Sequence, residues 1–212
     1  MNAMHDLFPG DRALADGAIV LTAFALPVET QLLTALDGVV AGAPFRHLIT
    51  PGGFRMSVAM TNCGTAGWVS DRTGYRYDAI DPDSGRQWPS MPPAFADLAA
   101  RAATQAGYDG FSADACLINR YQPGSRLSLH QDRNERDFGA PIVSVSLGLP
   151  AIFLFGGVRR ADRSLRVPLQ HGDIVVWGGP SRLAFHGIAE MKDGCHPRLG
   201  RQRINLTFRK AL

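Results

Sequence analysis

The 212-residue chain has the length of one domain, and a chain of that size buries a core without disulfide or metal staples. Three cysteines, Cys63, Cys116 and Cys195, are an odd number without CxxC spacing, which argues against a disulfide framework or a zinc ribbon and for a reducing, cytoplasmic setting. A formal charge of +3 and a pI near 9.0 favour an anionic partner only weakly, because many globular proteins carry as much.

The longest early apolar stretch, Ala18 to Leu26, follows Asp11 and Asp16 rather than a basic segment and is too short to span a bilayer. Neither a secretion signal nor a membrane helix is expected. Pro27 suits a first helical turn, and Leu32, Leu33, Leu36, Val39 and Val40 follow at helical spacing until Gly42 and Pro44. A second amphipathic helix is expected from about Pro93 to Ala106, with Phe95, Leu98, Ala99 and Ala102 as its stripe and Gly107 as its stop. Between the helices, Thr50 to Pro92 is rich in Gly, Pro, Asp and aromatics (Trp68, Tyr75, Tyr77, Trp88), with one strand-like run at Met56 to Met60. Long irregular segments of this kind are usually lids or binding loops.

After Asp114 the texture changes to short β-rich runs: Ala115 to Tyr121, Arg126 to Asp132, Ile142 to Leu149, Ile152 to Phe155, Ile174 to Trp177 and Ile204 to Phe208. That spacing predicts a sandwich or barrel with the helices packed on one face. Of the 22 basic residues only Lys192 and Lys210 are lysine. The arginines bunch at Arg133 and Arg136 and again at Arg159, Arg160, Arg163 and Arg166, clusters that either track phosphates or are solvated loop charges.

In the run Arg126 to Asp132, strand alternation sets Ser128, His130 and Asp132 opposite Leu127 and Leu129. His and carboxylate two apart hold one side of a metal, and His186 is the best third ligand for a 2-His-1-carboxylate site with open positions. His171 and Asp173 repeat the spacing, but the Gly172-Asp173 step between two apolar runs reads as a turn. His5, His47 and His196 read as surface or packing residues. From Arg201 to Arg209 the chain alternates strictly, with Arg201, Arg203, Asn205, Thr207 and Arg209 opposing Ile204, Leu206 and Phe208. If the apolar side meets the helices, the arginines turn inward and require a buried anion, for which a dicarboxylate is suited. Asn119 and Tyr121 share parity on an earlier strand and add donors. An edge strand with solvated arginines is the competing arrangement.

Taken together, His130-Gln-Asp132, His186 and the run Arg203 to Arg209 closely resemble the AlkB family of nucleic-acid dealkylases. The resemblance runs from about Gly17 to Arg209 and includes Thr50 to Gly53, Met56 to Gly64, Ala115 to Tyr121, Pro141 to Phe153 and Val176 to Gly179. It implies a double-stranded β-helix (jelly roll), an α+β fold with a mostly β core. Outer N-terminal helices and a nucleotide-recognition lid at about 45–92 would precede a catalytic core at about 114–209, all within one domain, 1–212. By the same resemblance His130, Asp132 and His186 would bind Fe(II), and Asn119, Tyr121, Arg203, Asn205 and Arg209 would surround 2-oxoglutarate. Trp68 and Tyr75 match lid positions that hold the damaged base and its backbone, and Thr50, Arg126, Ser128 and Arg160 match or approximate positions near the nucleotide.

The implied reaction couples O2 and the decarboxylation of 2-oxoglutarate to hydroxylation of an alkyl group on bases such as 1-methyladenine and 3-methylcytosine, with release of aldehyde. The implied partner is alkylated single-stranded DNA, with double-stranded DNA or RNA as further substrates, and the chain is expected to be a monomer. Asn134 departs from the family's acidic residue at that position, which predicts an altered preference among lesions. Two other readings remain: a dioxygenase of this fold acting on a protein side chain or small molecule, and a nucleic-acid-binding jelly roll with a vestigial metal site.

Overall fold

In the computed structural model, which describes residues 10–212, both expected helices form close to their anticipated limits. A 3-10 turn, Leu26–Val28, takes Pro27 and leads into α1 (Glu29–Gly42), whose Leu32, Leu36 and Val39 are buried. α2 (Pro93–Gln105) opens on proline, whose fixed φ and missing N–H suit a first turn, and buries Phe95, Leu98, Ala99, Ala102 and Ala103. Gly107, at φ 88°, carries the chain out of the helix in a conformation that side chains disfavour.

The strands are β1 (Arg12–Ala15), β2 (Ala18–Leu21), β3 (Arg46–Ile49), β4 (Arg55–Gly64), β5 (Gly67–Asp71), β6 (Gly74–Asp78) and β7 (Ala115–Tyr121). They continue as β8 (Leu127–His130), β9 (Ile142–Gly148), β10 (Ala151–Phe155), β11 (Leu165–Leu169), β12 (Ile174–Trp177), β13 (His186–Ile188) and β14 (Arg203–Arg209). An eight-stranded sheet runs β1-β2-β12-β9-β14-β7-β4-β3, a four-stranded sheet runs β11-β10-β13-β8, and β5 and β6 form a separate hairpin. Two facing antiparallel sheets make the jelly roll that the β-rich texture leads one to expect.

The helices cover the outer face of the large sheet. Ile204, Leu206 and Phe208 of β14 pack there with Leu32, Phe95 and Leu98, and Phe95 meets Phe208 edge-on at 6.0 Å. The inner face carries the opposite parity of the same strands. β14 lies between β9 and β7, with Asn205 opposite both Ser146 and Asn119, and Arg203 opposite Tyr121. Thus β14 is central rather than an edge, all seven of its residues are buried, and its arginines point between the sheets. The edge-strand arrangement is thereby ruled out.

Several elements differ from expectation. β4 runs the full length of Arg55–Gly64 inside the large sheet, where Met56 to Met60 had been the only strand-like run in an irregular segment. Its C-terminal half is polar, and that polarity is satisfied by tertiary partners: Thr61 Oγ1 donates to the Ala43 carbonyl, and the Asn62 side chain pairs with the Trp68 backbone. The hairpin β5–β6 also lies in the stretch read as irregular. β8 ends at His130, so Asp132 lies in the following loop rather than on the strand.

Candidate active site

Strand pairing brings the two histidines together. His186 of β13 lies directly opposite His130 of β8, with ring centroids 4.4 Å apart. Gly187 makes this close pairing possible, because a Cβ there would fall 2.6 Å from the Leu127 carbonyl oxygen. Each ring is oriented by a backbone carbonyl: His130 Nδ1 donates to Ser128 at 2.9 Å, and His186 Nδ1 donates to Ala184 at 3.0 Å. In the neutral ring with its proton held on Nδ1, Nε2 carries a bare lone pair.

Those lone pairs face Asp132. Its Oδ1 lies 3.6 Å from His130 Nε2 and its Oδ2 lies 3.7 Å from His186 Nε2. Among the described residues this is the one group of His, Cys, Asp and Glu whose ligand atoms converge within 4.8 Å. Burial, then the neighbouring His130, holds the His186 imidazole down to about 4, so it is neutral at pH 7. Burial pushes the Asp132 carboxyl up, but Arg209, His186 and His130 together outweigh it and hold the group below the usual range. Two imidazoles and an ionised carboxylate are the donor types that suit a first-row divalent metal.

A cavity of about 770 Å³ opens between the sheets and joins this cluster to the inner face of β14. At its floor Arg203 is 1% exposed, donates from Nη2 to Ser146 Oγ at 2.8 Å, and stacks over the Tyr121 ring at 5.1 Å. Its Nε and Nη1 find no acceptor, and no carboxylate among the described residues pairs with it. A buried guanidinium with unpaired donors requires an anion. Asn205 is fixed by Ser144 and by the Val145 carbonyl, and it accepts from Asn119 and Thr207. Arg209 donates to Asp132 from Nε and Nη2. The floor therefore offers a grip for one carboxylate within the same space as the metal cluster, which fits a dicarboxylate co-substrate.

At the mouth, Trp68 of β5 and Tyr75 of β6 stack with centroids 5.5 Å apart and planes 15° from parallel. Trp68 Nε1 donates to Asn134 Oδ1 at 3.3 Å. Thr50, Arg126, Ser128 and Asn134 also line the cavity. Arg160 does not: it is exposed, donates to the Leu129 carbonyl at 3.0 Å and lies over the Phe185 ring outside the cavity. Arg133, Arg136, Arg159, Arg163 and Arg166 are likewise exposed.

His171 sits in a turn as expected, accepting from the Gly148 N–H and facing Glu29, while Asp173 accepts from Ala23 and Gln170. His47 braces β3 against β4, His196 stacks on His171, and His5 lies outside the described residues. Sequence reasoning missed the polar roles of Glu135, Arg182 and the Tyr77 hydroxyl: Glu135 lies in the loop between β8 and β9 and Arg182 follows the 3-10 turn Gly179–Ser181, where no periodicity marks what turns inward, and Tyr77 lies on β6 in the stretch read as irregular. It also missed Ser144 and Ser146, although their parity in Ile142–Gly148 was a usable signal.

Residues 17–209 match the model of the 2OG-Fe(II) oxygenase superfamily. The chain is 56% identical over 212 residues to the alpha-ketoglutarate-dependent dioxygenase AlkB of Escherichia coli (strain K12), covering 98% of each. It is 36% identical over 121 residues to the nucleic acid dioxygenase ALKBH1 of Mus musculus, covering 57% of this chain and 31% of that one. Among solved structures, that of OsALKBH1 superposes with a TM-score of 0.82 at 30% identity, covering 94% of this chain and 99% of the other.

Proposed function

The chain belongs to the 2OG-Fe(II) oxygenase superfamily and to its AlkB branch, and from that premise we propose how its residues divide the work. The protein is an Fe(II)- and 2-oxoglutarate-dependent dioxygenase that removes alkyl groups oxidatively from nucleic-acid bases. His130, Asp132 and His186 hold the metal, and Asn119, Tyr121, Arg203, Asn205 and Arg209 surround the co-substrate. When bound, Fe(II) and 2-oxoglutarate use O2 to hydroxylate the alkyl carbon, with succinate and carbon dioxide as co-products. The hydroxylated group then leaves as an aldehyde and the base is restored.

Arg203 supports this reading most strongly, because its free Nε and Nη1 would satisfy one carboxylate bidentately inside the cavity that holds the metal triad. Trp68 and Tyr75 would part to take a flipped base between the hairpin and His130. Base–aromatic stacking is worth about 1–3 kcal/mol, enough to offset much of the cost of unstacking a damaged or unpaired base. Thr50, Arg126 and Ser128 stand at the mouth, where a nucleotide backbone passes, and Arg160 with its exposed neighbours extends a cationic surface beyond it.

The preferred substrates are 1-methyladenine and 3-methylcytosine in single-stranded DNA, with duplex DNA and RNA as further substrates, and the working form is a monomer. Free Cys63, Cys116 and Cys195 suit a reducing cytoplasm, and no described helix is long and apolar enough to cross a membrane. The hairpin aromatics favour a base over a protein side chain as the substrate.

The decisive experiment reconstitutes the protein anaerobically with Fe(II) and supplies 2-oxoglutarate, O2 and a 3-methylcytosine single-stranded oligonucleotide, beside a His130→Ala control. Coupled release of formaldehyde and succinate, abolished in the control, is expected. Succinate without formaldehyde would redirect the search for substrate, and neither product from iron-loaded protein would overturn the enzyme reading.

A further inference from the structure

Three residues beyond the metal carboxylate lies a second buried acid that neither the triad nor the anion strand accounts for. Glu135 is 6% exposed and sits in the loop between β8 and β9. Its Oε1 accepts the Tyr77 hydroxyl hydrogen bond at 2.7 Å and lies 3.5 Å from Arg209 Nε. Its Oε2 accepts from Arg182 Nη2 at 3.3 Å. Arg182 also donates to the Asp132 backbone carbonyl at 3.0 Å, and Arg209 donates to the Asp132 carboxylate. A continuous polar path therefore runs from β6 of the hairpin, through Glu135, to both the backbone and the side chain of the metal carboxylate.

From this path we propose that Glu135 is a positioning residue that couples the Trp68–Tyr75 hairpin to the metal centre. The proposal rests on the metal reading above. An isolated two-stranded hairpin is marginal in water, so its placement depends on a few tertiary anchors. Most of those anchors lead elsewhere: Asn62 to the Trp68 backbone, and Ser70 to the Ile49 carbonyl. Trp68 reaches the same loop at Asn134, a side chain with no further bond to Asp132 among the described residues, whereas Tyr77 leads on to Asp132 through a group whose charge matters. Arg209 is shared between two carboxylates, Asp132 and Glu135. A cation held by Asp132 fixes the loop that also carries Glu135, with Arg182 bonded to both residues, and so fixes the acceptor of the Tyr77 hydroxyl. Occupancy at one end thus changes what the hairpin feels at the other, and by linkage an ordered hairpin favours metal binding to the same degree.

If Glu135 served only to neutralise Arg182 and Arg209, removing it would loosen the hairpin equally with and without metal. Hydrogen exchange separates the two roles. Amide exchange across residues 67–78 is followed in the parent, Tyr77→Phe and Glu135→Gln proteins, each without metal and with stoichiometric Fe(II) under anaerobic conditions. Fe(II) is expected to slow hairpin exchange in the parent by at least about fivefold. In Tyr77→Phe that metal-dependent slowing is expected to vanish, while Fe(II) stoichiometry and protection of β9 and β14 stay at parent levels. Glu135→Gln should lose it as well, and where burial of two arginines without their acid prevents folding, Tyr77→Phe decides. Retained slowing in Tyr77→Phe, or iron binding in the parent with no slowing, overturns the coupling and leaves the metal site standing. A parent protein that binds no iron overturns both.

Discussion

Arg209 grips one oxygen of Asp132, Oδ2, with two donors at 2.8 and 2.6 Å, while the other oxygen, Oδ1, faces His130. The last residue of the anion strand thus orients the carboxylate around which the metal ligands converge. Removing the carboxylate charge has two consequences. Asp132→Asn should lose stoichiometric Fe(II) binding, and it should destabilise the metal-free protein by about 3–5 kcal/mol, the usual cost of breaking a buried ion pair from one side. Urea unfolding with and without Fe(II) checks both: the parent midpoint should rise with metal, and the variant midpoint should be lower and unresponsive.

Arg203 leads to the opposite expectation for stability. It is fully buried with two unpaired donor atoms, and burial pulls its pKa down, the direction expected of a cation held without a compensating anion. Arg203→Met keeps most of the volume and removes the charge. The ligand-free variant should match or exceed the parent in thermal midpoint, because apolar replacement of a poorly compensated buried charge is often stabilising by about 1–4 kcal/mol. Binding of 2-oxoglutarate should weaken by about 30-fold or more, the loss typical of removing one partner from a desolvated charge pair. A variant less stable than the parent, with 2-oxoglutarate affinity intact, would count against the anion site.

The two features just described were legible in the sequence to different degrees. Strict alternation from Arg201 to Arg209 exposed the inward arginines because a strand has period two and only one of its faces can be apolar. The metal ligands were visible through the spacing of His130 and Asp132, although Asp132 reaches its place from a loop and not from the strand alternation first invoked. His186 stands on a three-residue strand, too short to show any period, and was singled out as the third ligand that a 2-His-1-carboxylate site calls for. Glu135 and Arg182 were not found, since loop residues turn inward for tertiary reasons that leave no local signature. β4 hid for a related reason, its polar Thr61 and Asn62 being satisfied only by partners distant in the fold.

His186 predicts a pH dependence for the metal-free protein. Burial holds the folded imidazole down to about 4, against an ordinary value of 6.5. Between those values the unfolded chain binds the proton and the folded chain does not, so stability is complete above pH 6.5 and falls as the pH drops toward 4. The shift amounts to roughly 3 kcal/mol at 1.36 kcal/mol per unit. Urea midpoints measured at pH 7.5, 5.5 and 4.5 should decline accordingly, and His186→Leu should flatten that part of the profile. A parent midpoint that holds constant from pH 7.5 to 4.5 would show that the imidazole is not kept neutral by its surroundings.

Asn134 bears on which lesion is taken. Its Oδ1 accepts the Trp68 indole N–H at 3.3 Å, so the amide braces the aromatic wall on which a base would stack, and the residue lines the same cavity. A neutral amide can donate to a base edge as well as accept from it, but it offers no charge to favour a cationic methylated base. Asn134→Asp keeps the acceptor for Trp68, removes the donor and adds a negative charge beside the cavity. Its ratio of kcat/KM for 3-methylcytosine over uncharged alkylated bases should rise by about tenfold, corresponding to one good charge-assisted hydrogen bond. Trp68→Ala should instead lower kcat/KM for every lesion by about 5- to 150-fold, the range expected from lost stacking, and should lower the ratio rather than raise it, because a cationic base also loses its cation-π contact with the indole. Matched single-stranded oligonucleotides carrying 1-methyladenine, 3-methylcytosine and an uncharged alkylated base distinguish the two effects. Identical ratios in parent and Asn134→Asp would remove Asn134 from base discrimination and leave it as a brace for Trp68.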